Sequence, residues 1–268
     1  TNNSATIRGG AVLAISEVEI AISHCSFQRN SAVNGGGALY FEDFVEGTCG
    51  NCSFYDNNGG VGGGGIYLSS TQTLATNNTR LGISFNISEG VCEGNTAESG
   101  GCIVTFMDVS LRVSNFNISG NSASRIGGGI WTQRVNFLSL TDVIFDGNEA
   151  VSAGGGASIT FLDIQDLIDS QTSIGRSTVS ISNCRFQNNT ADSAGGLFIF
   201  GHVSATVDES VFDSNSAAIG GAVFVGGETY EREDRYNAVL HEQRRGQDPL
   251  EILNSAAESL ELWFNYSG

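Results

Sequence analysis

Short stretches in which apolar and polar residues alternate recur along the whole chain. Residues 138–141 (Leu-Ser-Leu-Thr) and 179–182 (Val-Ser-Ile-Ser) are two of them, and β-branched and aromatic residues dominate such stretches. Strict alternation is typical of a β-strand with one buried face. Few stretches carry the 3.6-residue apolar period of a helix, so the pattern predicts an all-β protein.

An internal repeat organises these strands. Each copy has an Asn, one or two small residues, two or more glycines and an apolar run. The repeated asparagines are Asn3, Asn30, Asn57, Asn95, Asn121, Asn148, Asn189 and Asn215. An apolar residue stands three positions before each Asn after the first: Phe27, Phe54, Cys92, Ile118, Phe145, Phe186 and Phe212. Successive asparagines are 26 or 27 residues apart, except for two steps of 38 and 41 that indicate insertions.

A period of this length predicts a solenoid in which each coil contains two or three short strands. Neighbouring coils would stack with parallel strands about 4.8 Å apart. Each repeated position then forms a column along the axis, with Phe inside and a buried Asn ladder at a corner. The glycines would supply the positive φ angles and the close backbone approach of the next corner. We expect a parallel β-helix of about eight coils with three insertions.

The predicted coils occupy residues 1–227. Residues 228–258 read as an insertion loop with a candidate amphipathic helix at 249–253, and residues 259–268 as the first half of a further coil. The charged stretch 231–235 of this loop could form a contact at the side of the solenoid, or it could be a solvent-exposed loop.

The combination of Phe-x-x-Asn with Gly-Gly-Ala-(Ile/Leu/Val) is present as Phe27, Asn30 and residues 36–39, and it recurs in the other coils. This motif resembles the repeat of the chlamydial polymorphic outer-membrane proteins, and the resemblance covers residues 1 to about 226. Those proteins are autotransporter adhesins whose passenger is a right-handed parallel β-helix. The resemblance implies a right-handed β-helix that is extracellular or on the cell surface, used for adhesion or as a structural stalk. Cys92 and Ile118, which replace the Phe, depart from the pattern.

The amino-acid composition argues against several classes of function. Glycine accounts for 36 of 268 residues, proline for one, and the hydrophobic fraction of 40% is enough to bury a core. A net charge of −17, with no Lys and no basic stripe, argues against nucleic-acid binding. No apolar run approaches the roughly 20 residues of a membrane span. The chain has neither an initiator Met nor a signal peptide, so we expect a mature or excised piece.

Catalysis is not expected. The β-helical polysaccharide-cleaving enzymes need carboxylates or basic groups gathered on one strand face over consecutive coils. The best candidates for such a carboxylate pair are Asp142 with Asp146 and Asp208 with Asp213, and both pairs flank turns. The three histidines, His24, His202 and His241, form no Ser-His-Asp pattern. Asp163, Asp166 and Asp169 could bind calcium or form a solvated helical face. We expect no catalytic residue, cofactor or metal.

Six cysteines suggest disulfides. Cys25 and Cys52 each stand two residues before a repeated Phe in adjacent coils, so stacking would bring their Cα atoms within disulfide range. Cys92 and Cys102 fall in one coil and form a second candidate pair. Free buried thiols are the alternative for all of them. Cys49 and Cys52 also form a C-x-x-C motif, but only His24 is near enough to complete a zinc or redox site.

Asn-x-Ser/Thr sequons occur at Asn2, Asn51, Asn77, Asn86, Asn117, Asn188 and Asn265. None of these asparagines is itself a ladder Asn. We expect N-linked glycans at several of them if the source is a eukaryotic secretory pathway, and ordinary polar turns if it is a bacterium.

The two ends of the sequence complement one another. Residues 264–268 (Phe-Asn-Tyr-Ser-Gly) match residues 116–120, which directly precede a ladder Asn, and the chain opens just before Asn3. Phe264 would therefore complete a repeat with the start of a following copy. We expect a structural subunit that adds head to tail to copies of itself, or one segment of a longer tandem array. The alternatives are a capped monomer and a surface adhesin or glycan-binding module that uses exposed aromatics such as Trp131 and Tyr230.

Overall fold

The computed structural model describes residues 1–70, 82–161 and 177–227. All regular secondary structure in these ranges is β-strand, and every strand pairing within the sheets is parallel. Each strand pairs with the strand one coil further along, so the chain forms a β-solenoid. It has about seven complete turns, close to the eight that the repeat predicts. The predicted all-β parallel architecture is confirmed.

Each coil contributes strands to three walls. The first wall holds the short strands β1 (Ser4–Ala5), β5 (Ser31–Ala32), β10 (Thr96–Ser99), β13 (Ser122–Ile126) and β16 (Glu149–Ala150). The second wall holds β2 (Val12–Ile15), β6 (Leu39–Glu42), β8 (Ile66–Ser69), β11 (Ile103–Phe106), β14 (Ile130–Gln133), β17 (Ala157–Phe161), β20 (Leu197–Gly201) and β23 (Val223–Gly226).

The third wall holds the longest strands. They are β3 (Val18–Ser23), β4 (Ser26–Gln28), β7 (Val45–Tyr55), β9 (Ile83–Glu93), β12 (Val109–Ser119), β15 (Phe137–Asp146), β18 (Ser177–Ser182), β19 (Arg185–Gln187), β21 (Val203–Asp208) and β22 (Val211–Asp213).

One left-handed residue bends the third wall in every coil. Asn115 in β12 (φ 50°) and Asp142 in β15 (φ 55°) are examples, and His24, Asn51, Glu89, Asn183 and Glu209 hold the same place in the other coils. The bend interrupts the alternation, so two side chains that flank it both face inward. In β12 these are Val113 and Phe116, which are buried on either side of Asn115.

The core fills the tube between the walls. Its largest buried side chains are aromatic and aliphatic residues of the second and third walls, among them Phe41, Phe54, Phe85, Phe116, Phe145 and Phe186. Burial of such side chains stabilises the fold by about 1.5–3 kcal/mol each. Because neighbouring coils keep the same register, the same position faces inward in coil after coil.

Two glycine columns form the turn between the first and second walls. The first column, which includes Gly36 (φ +63°), adopts the left-handed conformation that glycine favours. The second column has no room for a side chain: a Cβ on Gly37 would lie 2.2 Å from the carbonyl oxygen of Gly64 in the next coil. The glycine excess thus has two separate causes, one conformational and one steric.

Several predicted features lie outside the described residues. These are the loop at 228–258, the half coil at 259–268 with Phe264, the sequons at Asn77 and Asn265, and the residues Asp163, Asp166, Asp169, Tyr230 and His241.

Candidate functional site

A buried asparagine ladder runs through all the coils. The backbone N–H and the Nδ2 group of each ladder Asn both donate to Oδ1 of the ladder Asn in the next coil, over 2.8–3.1 Å from Asn3 to Asn215. From the third coil onward Nδ2 also donates backwards, as Asn95 does to the carbonyl of Phe54 at 2.9 Å. Interior members such as Asn57 and Asn189 are fully buried. Each therefore satisfies its polar groups within the stack, as buried polar groups require.

The ladder has a direction. In every hydrogen bond between two ladder asparagines, the donor belongs to the earlier coil and the Oδ1 acceptor to the later one. Among the described residues, no donor reaches Oδ1 of Asn3, and no acceptor stands opposite the backbone N–H of Asn215. At the ladder position, the first described coil thus has an unused Oδ1 acceptor and the last described coil an unused backbone N–H donor.

The repeated Phe column lies beside the ladder. Phe145 and Phe186 stack with ring centroids 4.5 Å apart, Phe186 and Phe212 at 4.8 Å, and Phe27 and Phe54 at 5.1 Å. These spacings are close to the separation between parallel strands, so the stack follows the backbone repeat. Glycine faces the rings: a Cβ on Gly156 would lie 2.9 Å from Cδ1 of Phe186.

Two coils lack Phe in this column, and one of them contains a disulfide instead. Cys92 is bonded to Cys102, with Cα atoms 6.1 Å apart, and both residues are fully buried. Ile118, the column residue of the next coil, pairs in register with Cys92. The structure therefore contains the second disulfide pair that the sequence suggests. Among the described residues, Cys102 is the one residue of its column that is neither Gly nor Ala.

The predicted bridge between Cys25 and Cys52 is wrong. Cys52 is bonded to Cys49, with Cα atoms 6.1 Å apart, and Cys25 is a free, exposed thiol. The sequence correctly placed Cys25 and Cys52 in adjacent coils, because Ser26 pairs in register with Ser53. It missed that left-handed Asn51 turns both Cys49 and Cys52 into the same corner. Cys184 is free and buried, and burial raises the pKa of its thiol.

All sequon asparagines within the described ranges are exposed: Asn2, Asn51, Asn86, Asn117 and Asn188. Asn51 occupies a left-handed corner, and Asn86 and Asn117 point outward from β9 and β12. The amide of Asn188 donates to Oδ1 of Asp146 at 2.9 Å. The exposed sequons and the buried ladder are thus separate sets of asparagines.

An aromatic row that sequence reasoning missed lies on the outer face of the second wall. Tyr40 and Tyr67 stack with centroids 5.0 Å apart, and the Arg8 guanidinium lies 5.1 Å from the Tyr40 ring while it pairs with Glu42 at 2.7 Å. Burial raises the pKa of both tyrosines. Trp131, further along the row, was expected to be exposed but is half-buried, and it donates its indole N–H to Thr160 at 3.3 Å.

Two of the four carboxylates considered for catalysis connect neighbouring coils. Asp142 accepts a hydrogen bond from the amide of Asn183, and Asp146 accepts one from Asn188. Asp208 and Asp213 are exposed. In the described part of the chain no group of His, Cys, Asp and Glu side chains is arranged to hold a metal ion.

The first and last described coils expose positions that are buried elsewhere in the same columns. Val223 and Val225 of β23 are 37% and 71% exposed, whereas Ile199 of β20 is 4% exposed. Gly221 belongs to the crowded second glycine column, yet a Cβ there would meet no described atom closer than the Asn215 carbonyl oxygen at 3.6 Å. No helix among the described residues has the length and apolar character needed to cross a membrane.

A family model of the Chlamydia polymorphic membrane protein repeat matches residues 24–42. The matched segment contains Phe27, Asn30 and the glycine turn before β6. Together with the stacked coils it supports the resemblance of this chain to that repeat family. No curated protein and no solved structure matches the chain.

Proposed function

We propose that the chain is a surface-exposed structural subunit that stacks end to end, as copies of itself or as adjoining repeats of a longer chain, into an extracellular fibre or appendage. The observation that carries the proposal is the directional asparagine ladder. The two ends of the described ladder are complementary, because Oδ1 of Asn3 is an acceptor and the backbone N–H of Asn215 is a donor, and neither has a partner among the described residues. Such a contact joins unlike surfaces and does not close, which produces a filament.

The glycine column supports the same joint. In the interior, second-column glycines such as Gly64 and Gly101 lie so close to the next coil that a Cβ would come within 2.2 Å of its carbonyl oxygen. Position 221 in the last described coil is also glycine, although the described residues leave space there for a side chain. A stacked copy would fill that space with its own first coil and would cover Val223 and Val225.

The matched repeat supports a location at the cell surface. The repeat belongs to a family described as a membrane protein of Chlamydia. The five exposed sequon asparagines lie on the outer walls and corners, where glycans would not disturb the ladder. Glycans at these positions require a eukaryotic secretory pathway.

Gly221→Ala tests the joint. The variant should fold as the wild type does, because its Cβ meets no described atom within 3.4 Å, but it should not assemble. Negative-stain electron microscopy and sedimentation velocity of the purified chain would measure this. Wild-type filaments should show an axial repeat of about 38 Å, from eight coils at about 4.8 Å. Gly50→Ala is the matched control, because its Cβ would face Ser88 Oγ at 3.7 Å and should leave assembly unchanged.

Two results would contradict the proposal. Gly221→Ala filaments indistinguishable from the wild type would show that the joint does not use this coil face. Wild-type material that remains short single rods at high concentration would show that the units do not stack, and would favour a single-rod surface adhesin.

A further inference from the structure

Three cysteines of the first two coils form one cluster. Cys49 and Cys52 are bonded across the corner of β7, and Cys25 is the free, exposed thiol of the coil before it. Cys25 and Cys52 occupy the same column: Ser26 pairs with Ser53, and the Ser53 N–H donates to the Cys25 carbonyl at 2.9 Å. Parallel strands bring such Cα atoms about 4.8 Å apart, within the range that a disulfide spans.

The sulfur atoms lie close to the same short segment of β3. Sγ of Cys25 is 3.2 Å from the carbonyl oxygen of Ser23, and Sγ of Cys52 is 3.9 Å from that of Ile22. Sγ of Cys52 is also 3.6 Å from the carbonyl oxygen of Gly50, so this sulfur lies between its own coil and the first coil. Cys52 is thus bonded to Cys49 in its own coil and shares its column with Cys25 in the coil before.

We propose that Cys25, Cys49 and Cys52 form a thiol–disulfide exchange site. The Cys25 thiolate attacks Sγ of Cys52, a Cys25–Cys52 bond forms, and the Cys49–Cys52 bond breaks. The electron pair leaves on Cys49, which takes up a proton from solvent in place of the one that Cys25 lost. The number of disulfides and thiols is unchanged, so the step needs no external oxidant.

Exchange changes what the disulfide holds together. The Cys49–Cys52 bond closes a loop within one corner, with a sequence separation of 3. The Cys25–Cys52 bond would join the first coil to the second across a full 27-residue turn of the solenoid. A crosslink that closes a longer loop restricts the unfolded chain more, so the exchanged form fastens the terminal coil.

Peptide mapping can separate the two forms. The chain has no Lys, and cleavage after Arg8, Arg29 and Arg80 puts Cys25 in peptide 9–29 and both Cys49 and Cys52 in peptide 30–80. The native protein is incubated without reductant at pH 8, alkylated with N-ethylmaleimide, digested and analysed by mass spectrometry. We expect the crosslinked peptide pair, together with alkylated Cys49, in about a tenth of the chains or more.

Two variants provide the controls. Cys25→Ser should show only the Cys49–Cys52 bond, whereas Cys184→Ser, which removes the free thiol five coils after Cys25 in the same column, should exchange as the wild type does. If native wild-type protein yields only alkylated Cys25 after prolonged incubation, the proposal is overturned.

Cys49→Ser tests the geometry alone. In this variant, stoichiometric oxidised glutathione should join Cys25 to Cys52 in the folded protein, with an unchanged circular dichroism spectrum. Glutathione retained on Cys25 beside a free Cys52 would show that the two sulfur atoms cannot meet, and would also overturn the proposal.

Discussion

At the residue scale, the two adjacent glycine columns differ in how strictly they require glycine. The first column owes its glycines to a left-handed conformation, and Ala194 (φ 53°) takes that position in one coil. A non-glycine residue there costs about 1–2 kcal/mol, which packing can offset; Ala194 is fully buried against Phe198. The second column is glycine in all eight coils, because a side chain would push its neighbour away.

Gly128→Ala should therefore be strongly destabilising. The new Cβ would lie 2.4 Å from the Gly155 carbonyl oxygen and 2.5 Å from that of Glu149, and backbone atoms cannot move aside as a flexible side chain can. We expect a loss of about 2–4 kcal/mol, measured as a lower midpoint in urea unfolding. Gly221→Ala, in the same column but without that crowding among the described residues, should keep the wild-type midpoint. Equal midpoints for Gly128→Ala and the wild type would contradict the steric explanation.

The asparagine ladder could be predicted residue by residue. Asn30, Asn57 and Asn95 stand out in the sequence because they recur at a coil period beside buried apolar residues, and all three are buried. The direction of the ladder could not be predicted. It depends on which amide group faces which neighbour, and spacing alone carries no information about side-chain orientation.

At the element scale, the strands and their register follow from the sequence, but the corners do not. Period-2 alternation identified the third-wall strands around residues 138–141 and 179–182. It did not show that Asn51 adopts φ 53° inside β7: Asn is enriched in the left-handed region, but this preference alone does not distinguish a corner within a strand from an ordinary turn. This is why stacking placed Cys25 beside Cys52 correctly while the bonding partner of Cys52 was wrong.

The Cys92–Cys102 disulfide should contribute measurably to the stability of the central coils. It closes a loop with a sequence separation of 10, for which chain-entropy arguments give about 2–3 kcal/mol. The double variant Cys92→Ala/Cys102→Ala loses this constraint and also leaves a cavity beside Ile118. We expect it to unfold at a clearly lower urea concentration than the wild type.

A second variant separates the crosslink from the packing. Cys92→Phe/Cys102→Gly introduces the Phe and Gly pair that other coils have at these two positions, exemplified by Phe145 and Gly156. It should recover part of the lost stability without any disulfide. A double alanine variant as stable as the wild type would show that the bond contributes nothing there.

At the scale of the whole molecule, the net charge and the stacked coils together favour association at the ends over association at the sides. A net charge of −17 distributed over the chain disfavours side-by-side clumping of rods through repulsion. End-to-end stacking instead buries apolar side chains and continues the backbone hydrogen bonds along the axis. Stability in such a solenoid is a sum of contacts between neighbouring coils, so each joint between units would resemble an interior contact.

The thiol of Cys25 can report on that joint. It is exposed in the first described coil, whereas Cys184, in the same column, is buried between coils. In the double variant Cys49→Ser/Cys52→Ala, which removes the disulfide and the possibility of exchange, alkylation of Cys25 should be fast in dilute protein. The rate should fall at least tenfold in assembled filaments, while Cys184 stays protected in both states. The rates are read by mass spectrometry after timed exposure to iodoacetamide. A Cys25 that reacts equally fast in filaments and in single units would place the contact elsewhere on the molecule, because axial stacking must cover the end of the Cys25 column.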